Sequence, residues 1–287
     1  MTTIAWRTSR RKNFTRTSAS IPRRLVREGK WYLLPAYALA RTSDLAREGM
    51  ENSGSFRFAD HIYRAKPGGR YGIGWLLDAL FLALPASRSM RERHLHSRLH
   101  IATALRRGDV QGESVRVLSV PCGIARDLVG GANDAGLGTP WPVAHARLIG
   151  MDLDPEALAL SRSLAGRDGT FEFIEGDALD ASSYPRELDL VVSTGFGEFL
   201  DDDDLTRFYA ACLSALKPGG RFVTSGMSRS KLADRLLREL AELHTRYRDA
   251  EALRAALGKA GFTDIVVHSD RYGLQSLATA VRPAGTP

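Results

Sequence analysis

Four short stretches hold the residues whose types and spacing could do chemistry. The first is Leu118-Ser-Val-Pro-Cys-Gly-Ile-Ala-Arg-Asp127, an apolar run that turns at Gly123 into a helical pattern. A glycine there lets the backbone come close to a ligand. The second, Gly150-Met-Asp-Leu-Asp-Pro155, offers Asp152 as an acceptor for two ribose hydroxyls. The third, Glu175-Gly-Asp-Ala178, offers Asp177 to an exocyclic adenine amine. The fourth, Ser193-Thr-Gly-Phe-Gly-Glu-Phe199, is Gly-rich and carries Glu198 between two phenylalanines. Desolvation by Phe196 and Phe199 would raise the pKa of Glu198 and suit it to general-base work. A plainer role is to begin the next helix, because Asp201–Asp204 form a helix-start cluster rather than a metal site.

The elements that must position these stretches can be read from the apolar pattern. Strands are expected over 115–120, 147–151, 171–174, 188–193, 221–225, 263–268 and 273–281. Helices are expected from 124 and over 155–164, 202–216, 231–243 and 250–260. Near-continuous apolar strands alternating with helices imply a parallel sheet covered on both faces. In such sheets ligands bind beyond the carboxyl ends of the strands, which is where all four stretches fall.

In order and spacing the four stretches resemble the motifs of class I S-adenosylmethionine-dependent methyltransferases. The likeness covers residues 115–281 and includes Leu216-Lys-Pro-Gly-Gly-Arg-Phe222 and the late Ala260-Gly-Phe262. The resemblance implies a Rossmann-like, doubly wound α/β fold. Its sheet would have seven strands, mostly parallel with one antiparallel strand near the C-terminus, behind an N-terminal helical lid. It implies S-adenosylmethionine as cofactor, with S-adenosylhomocysteine as product. By the same resemblance Pro121, Cys122 and Gly123 line the cofactor loop, and Asp152 holds the ribose with Leu153 against the adenine. Gly176, Asp177 and Ala178 surround the adenine amine, and Ser193, Thr194 and Gly195 sit near the methionine portion.

Three positions depart from the family pattern. Ser119 stands where an acid is usual, and Pro121 and Ala125 stand where glycine is usual. The acid ordinarily helps fix the amino-acid part of the cofactor, so that duty passes to neighbours. Asp127 is a candidate for the amine and Arg126 for the carboxylate. A NAD-binding reading is disfavoured, since the loop lacks G-x-G-x-x-G.

Residues 1–110 read as helical. A basic arm over 1–20 precedes a helical accessory region over 21–110, and the cofactor-binding core spans 111–287. One helix is expected after Ser20 with Pro22 in its first turn, and Pro35 breaks or kinks it. The apolar run Ile73–Leu84, which contains Asp78, is too short to span a bilayer and reads as a buried helix. Ser87 is a candidate cap for a last helix that ends near Gly108. His61 and Tyr63, in Phe58–Arg64 of the lid region, are candidate bases or orienting groups, with simple packing as the alternative. Glu92, His96 and His100 share one helix face at metal-ligand spacing. Arg91, Arg93 and Arg98 crowd the same helix, so it reads as a solvated basic helix and no metal is expected.

The formal net charge of +7 is uneven. Residues 1–30 hold nine Lys and Arg against one acid, so the rest of the chain is close to neutral. The two cysteines, Cys122 and Cys212, exclude a disulfide framework, and Cys122 reads as a buried thiol. No secretory signal is apparent, and a cytoplasmic location is expected. The expected reaction is methyl transfer to a small-molecule acceptor. Trp31, Tyr32, Leu33, Leu34, Tyr37, Trp75, Leu76, Leu77, Leu80 and Phe81 supply apolar surface for a hydrophobic, aromatic or lipid-like one, or for packing on the core or between the protomers of a homodimer. One competing reading is an RNA methyltransferase whose arm tracks phosphates. The departures at Ser119 and Pro121 leave open a non-catalytic cofactor-binding protein.

Overall fold

A computed structural model describes residues 20–51, 55–136, 146–166, 169–228 and 245–285. They form two compact units, one of residues 20–91 and one of 92–228 with 245–285. The helix expected over 231–243 lies outside the described residues.

The first unit is helical: α1 (Ser20–Arg27), α2 (Leu34–Ala40), α3 (Asp44–Glu51), α4 (Phe56–Arg64) and α5 (Ile73–Ala83). Pro22 sits in the first turn of α1, and Pro35 in the first turn of α2, where a missing N–H costs nothing. Ser55 caps α4 by accepting from the Phe58 amide. Two small apolar clusters hold these helices: Ile21, Leu25, Tyr37 and Met50 in one, Leu45, Ile62 and Leu82 in the other. Beside the second lies a polar hub. The Asp78 carboxylate is fully buried and accepts from Ser43 Oγ at 2.6 Å, Leu45 N at 2.7 Å, His61 Nε2 at 2.7 Å and Gly68 N at 2.9 Å. Burial alone would raise its pKa. Together these four hydrogen bonds outweigh burial and hold it below the usual carboxylate value.

That hub corrects the expectation that Ile73–Leu84 is a buried helix. Asp78 faces inward together with Gly74 and Leu82, so α5 turns Ile73, Leu76 and Leu80 outward, where they are exposed. The following helix, α6 (Pro85–Gln111), also differs from expectation. It starts at Pro85 and runs past Gly108, and Ser87 is not its cap, because the Ser87 hydroxyl donates to the Phe81 carbonyl. The division between the units falls within α6, between Arg91 and Glu92.

The second unit is a seven-stranded sheet. Its strands are β1 (Val115–Ser119), β2 (Ala146–Asp152), β3 (Phe171–Glu175), β4 (Leu188–Ser193), β5 (Leu216–Met227), β6 (Thr263–Ser269) and β7 (Gln275–Val281), in the spatial order β3-β2-β1-β4-β5-β7-β6. Pairing is parallel from β3 through β5, and β7 runs antiparallel to both β5 and β6. The doubly wound, mostly parallel fold expected from the sequence is the fold observed. The helices are α7 (Arg126–Ala135), α8 (Pro155–Ala165), α9 (Asp202–Ala215) and α10 (Ala250–Lys259). Helix α7 begins two residues later than expected.

Strand alternation divides the core into two layers. Val117, Leu190, Val192 and Val223 face one side, where they meet Leu128 and Ala132 of α7 and Ile101 and Leu105 of α6. Leu118, Val191 and Phe222 face the other, where they meet Phe208, Tyr209 and Leu253. Gly131 lets α6 and α7 pack closely, because a Cβ there would lie 2.7 Å from the Ile101 side chain. Burying each of these large side chains contributes about 1.5–3 kcal/mol. Adjacent β1 and β4 diverge toward different neighbours, β2 and β5, which opens a crevice at their carboxyl ends.

Candidate cofactor and methyl-transfer site

The crevice is built from the ends of β1, β2, β3 and β4. After β1 the backbone turns sharply, and the Val120–Pro121 peptide is cis. Cys122 N donates to the Met151 carbonyl at 2.9 Å, which ties the loop to β2. Gly123 takes a positive φ of 52° and donates its N–H to Asp152 Oδ2 at 2.8 Å. Ser161, reaching up from α8, clamps the loop from behind. Its hydroxyl donates to the Gly123 carbonyl at 2.9 Å and accepts from Ala125 N at 3.1 Å.

Asp152 therefore sits at the centre of the first two loops. Its Oδ1 accepts from Asp154 N at 2.9 Å, and its backbone carbonyl accepts from Gly176 N at 3.1 Å, which brings in the third loop. Burial pushes its carboxyl pKa up, against the pull of the backbone N–H groups. Each carboxylate oxygen keeps a second acceptor site for a hydroxyl. Leu153 is half-buried beside it, and Asp177 and Ala178 are buried at the end of β3. Asp177 Oδ1 accepts from Leu179 N at 2.9 Å, and Tyr184 fixes the next carbonyl by donating its hydroxyl to Ala178 O at 2.7 Å.

Ser119 is not a bare loss of the family's acid. Its hydroxyl donates to Asp127 Oδ2 at 2.6 Å, and Asp127 Oδ1 accepts from Leu128 N at 2.9 Å. The first turn of α7 thus returns a carboxylate to the end of β1. Burial pushes the Asp127 pKa up, opposed by the Ser119 hydrogen bond. Cys122 is held as a thiol, because burial raises its pKa well above the usual value.

The end of β4 is gripped by α6. Ser97 Oγ lies 3.1 Å from Thr194 Oγ1, and one turn earlier Arg93 Nη1 lies 3.0 Å from Glu198 Oε1 and 3.4 Å from Gln275 Oε1. Arg93 and Glu198 are each 4% exposed. Gly195 has φ of 85° and donates its N–H to Ser225 Oγ at 3.0 Å. A Cβ at Gly195 would lie 2.5–2.7 Å from the Arg93 guanidinium. Two buried oxygens on this loop, Ser193 Oγ and Glu198 Oε2, have no protein hydrogen-bond partner among the described residues.

These observations revise three expectations. Glu198 is desolvated, but an ion pair with Arg93 accompanies the burial, and Phe196 packs edge-on against Phe208 at 5.1 Å. Glu198 does not begin the next helix either. It lies in a single 3₁₀ turn, and Asp201 caps α9 by accepting from Asp204 N at 2.8 Å. Nor is α6 a solvated basic helix. Arg93 is buried, Arg98 forms a two-pronged pair with Asp134, and Glu92 pairs with Arg271. The His96 ring lies 4.5 Å from that of His100 and 5.2 Å from that of His268. Burial lowers the pKa of His96 to about 3 and of His100 to about 4. Among the described residues no group of three or more His, Cys, Asp or Glu is placed to hold a metal ion.

His61 and Tyr63 belong to the first unit. His61 pairs with Asp78, and Tyr63 packs against the Leu45–Ile62–Leu82 cluster. Arg93, Ser97, Ser161, Ser225 and Gln275 were not singled out by sequence as site residues. The first four meet the crevice loops through hydrogen bonds that no local motif announces, and Gln275 meets Arg93.

The residues present suit an adenosine-bearing sulfonium cofactor. Acidic acceptors stand at the ends of β2 and β3, the Gly123 loop lies beside them at the end of β1, and unsatisfied buried oxygens sit at the β4 end. Fold and site together define a Rossmann-like, nucleotide-binding arrangement. Residues 117–220 match the family model described as a methyltransferase domain. The matched residues lie within the second unit and include the loops that build the crevice.

Among solved structures, the chain is similar to a possible exported protein from Bordetella parapertussis, with 28% identity and a TM-score of 0.72 over 88% of this chain and 87% of that one. The magnesium protoporphyrin IX methyltransferase from Synechocystis PCC 6803, with bound S-adenosylhomocysteine, shares the fold at 14% identity. Its TM-score is 0.51 over 78% of this chain and 93% of that one. A curated relative, the uncharacterized protein YnbC of Escherichia coli (strain K12), is 23% identical over 236 residues, which is 78% of this chain. The chain spans 39% of that relative's length. Among the described residues no helix is long and apolar enough to cross a membrane.

Proposed function

We propose that the chain transfers a methyl group from S-adenosylmethionine to a small-molecule acceptor. The observation that carries this reading is the interlock of Gly123, Asp152 and Gly176, which joins three loops at one residue, through the Asp152 carboxylate and its backbone carbonyl. The bound cofactor supplies an electrophilic methyl on a sulfonium that becomes a neutral thioether on transfer. The protein therefore needs no acid for the leaving group. Its work is to hold both partners in line, and alignment alone can supply up to about 7–11 kcal/mol.

Each residue then has a physical task. Asp152 accepts from the ribose hydroxyls, and Asp177 accepts from the adenine amine. Asp127, held by Ser119, faces the amino-acid end in place of the usual strand acid. Glu198 offers Oε2 as an acceptor that orients an O–H or N–H of the methyl acceptor, while Arg93 fixes its other oxygen. His61 and Tyr63 are further candidates for proton acceptance, and Asp78 orients the His61 ring. The acceptor we propose is hydrophobic or lipid-like.

Incubation with methyl-labelled cofactor and a panel of phenols, amines and lipids tests the reading. Label in a small-molecule product is expected. Label in RNA and in no small molecule would overturn it.

A further inference from the structure

The outward face of α5 has no use in the site described above. Ile73 is 48% exposed, Leu76 63%, Leu80 56% and Leu84, just past the helix, 41%. At 3.6 residues per turn these four form one stripe, opposite the buried Gly74, Asp78 and Leu82. Trp75 and Tyr71 flank it and are also exposed. Helix α2 packs on α5 and, with the turn before it, adds exposed Trp31, Tyr32 and Leu39. The only acid in α5 is Asp78, which points inward, so the stripe carries no anion.

Charge accompanies this surface. Residues 20–91 hold twelve Lys and Arg against six Asp and Glu, whereas residues 92–287 hold 23 against 27. Exposed cations bracket the stripe, with Lys66 and Arg70 before it and Arg88 after it. An apolar, aromatic-flanked stripe with basic ends fits the boundary between lipid headgroups and acyl chains. Leucines enter the apolar layer there, Trp and Tyr sit at headgroup level, and Lys and Arg reach anionic phosphates. A second copy of the same cationic unit would repel this surface, and nucleic acid gains little from a leucine stripe. Eleven residues of α5 extend roughly 16 Å, about half a hydrocarbon core, so the helix would lie in the surface rather than cross it.

We propose that the helical unit docks the protein on anionic lipid bilayers through the outward face of α5. This inference is independent of the methyl-transfer reading. The full chain should co-sediment with vesicles of equimolar phosphatidylglycerol and phosphatidylcholine, less so as salt rises, and only weakly with phosphatidylcholine alone. Leu76→Ser/Leu80→Ser should lower the partition coefficient at least about tenfold, since about six apolar carbons would no longer be buried in lipid. Circular dichroism should be unchanged, because both positions are exposed. Trp75 fluorescence, isolated by replacing the other tryptophans with phenylalanine, should shift to shorter wavelength on anionic vesicles.

Results of three kinds would overturn the proposal. One is no binding to anionic vesicles, or equal binding by the folded double variant. Another is light scattering that shows a dimer broken by these substitutions, which would make the stripe a self-interface. The third is salt-sensitive binding of single-stranded RNA with none to vesicles.

Discussion

Replacing Arg93 by methionine removes a buried guanidinium that no local sequence signal had marked. It keeps much of the side chain's length and takes from Glu198 Oε1 its Arg93 partner, in a carboxylate whose Oε2 already has no protein partner among the described residues. Both groups are 4% exposed, and they lie 3.0 Å apart. Breaking a buried ion pair from one side typically costs 3–5 kcal/mol, because the survivor is an uncompensated charge. For a unit of this size that corresponds to roughly 6–20 °C in Tm. Glu198→Gln should cost less, since the amide oxygen can still accept from Arg93. The double variant Arg93→Met/Glu198→Gln removes both charges and should recover part of the loss, giving a coupling of about 1–3 kcal/mol. Differential scanning calorimetry on the four proteins measures this directly. If the pair also positions the acceptor, the double variant should recover stability but not turnover. Additive single effects would refute the reasoning, as would a double variant that regains full turnover.

The remaining predictions concern the crevice and the helix behind it. Asp152→Asn should weaken S-adenosylhomocysteine binding about 10- to 150-fold by calorimetry, the value of one or two charge-assisted hydrogen bonds at 1.5–3 kcal/mol; an unchanged Kd would remove Asp152 from the site. Ser119→Ala and Asp127→Asn should each weaken S-adenosylhomocysteine binding yet leave 5′-methylthioadenosine, which lacks the amino-acid part, unaffected. Equal loss for both ligands would mean that the pair only holds the loop. Gly195→Ala should destabilise the fold by about 1–3 kcal/mol, since φ of 85° is strained for alanine and the new methyl collides with Arg93. Burial lowers the pKa of His94 and His100 to about 4 and of His96 to about 3 in the folded state. Unfolded histidines take up protons near pH 6.5, so stability from these groups is complete above that pH and declines as pH falls from 6.5 toward 3–4. Urea midpoints across this window should fall in the native protein and fall less in His96→Gln.

Much of the sheet was legible in the sequence because its signals are local. A strand such as Val115–Ser119 announces itself by apolar continuity, and Asp152 and Asp177 by following such strands. The cofactor loops inherit that legibility. What could not be read depends on contacts between distant residues. Arg93 and Glu198 are 105 positions apart, and on its helix Arg93 looks like one more surface cation. The Ser119–Asp127 pair spans a turn whose geometry no propensity specifies. Helix α5 was misjudged for a related reason. An apolar run containing one acid suggests burial with the acid at the rim, whereas the hydrogen bonds from Ser43, Leu45, His61 and Gly68 draw Asp78 inward and turn the leucines out.

The central claim is that the loops after β1, β2 and β3 form one S-adenosylmethionine site around Asp152. Calorimetric titration of the full chain with S-adenosylhomocysteine tests it most directly. The account predicts one saturable site per chain that is lost or greatly weakened in Asp152→Asn. Absence of binding to the folded native chain, or equal binding by the variant, would contradict it.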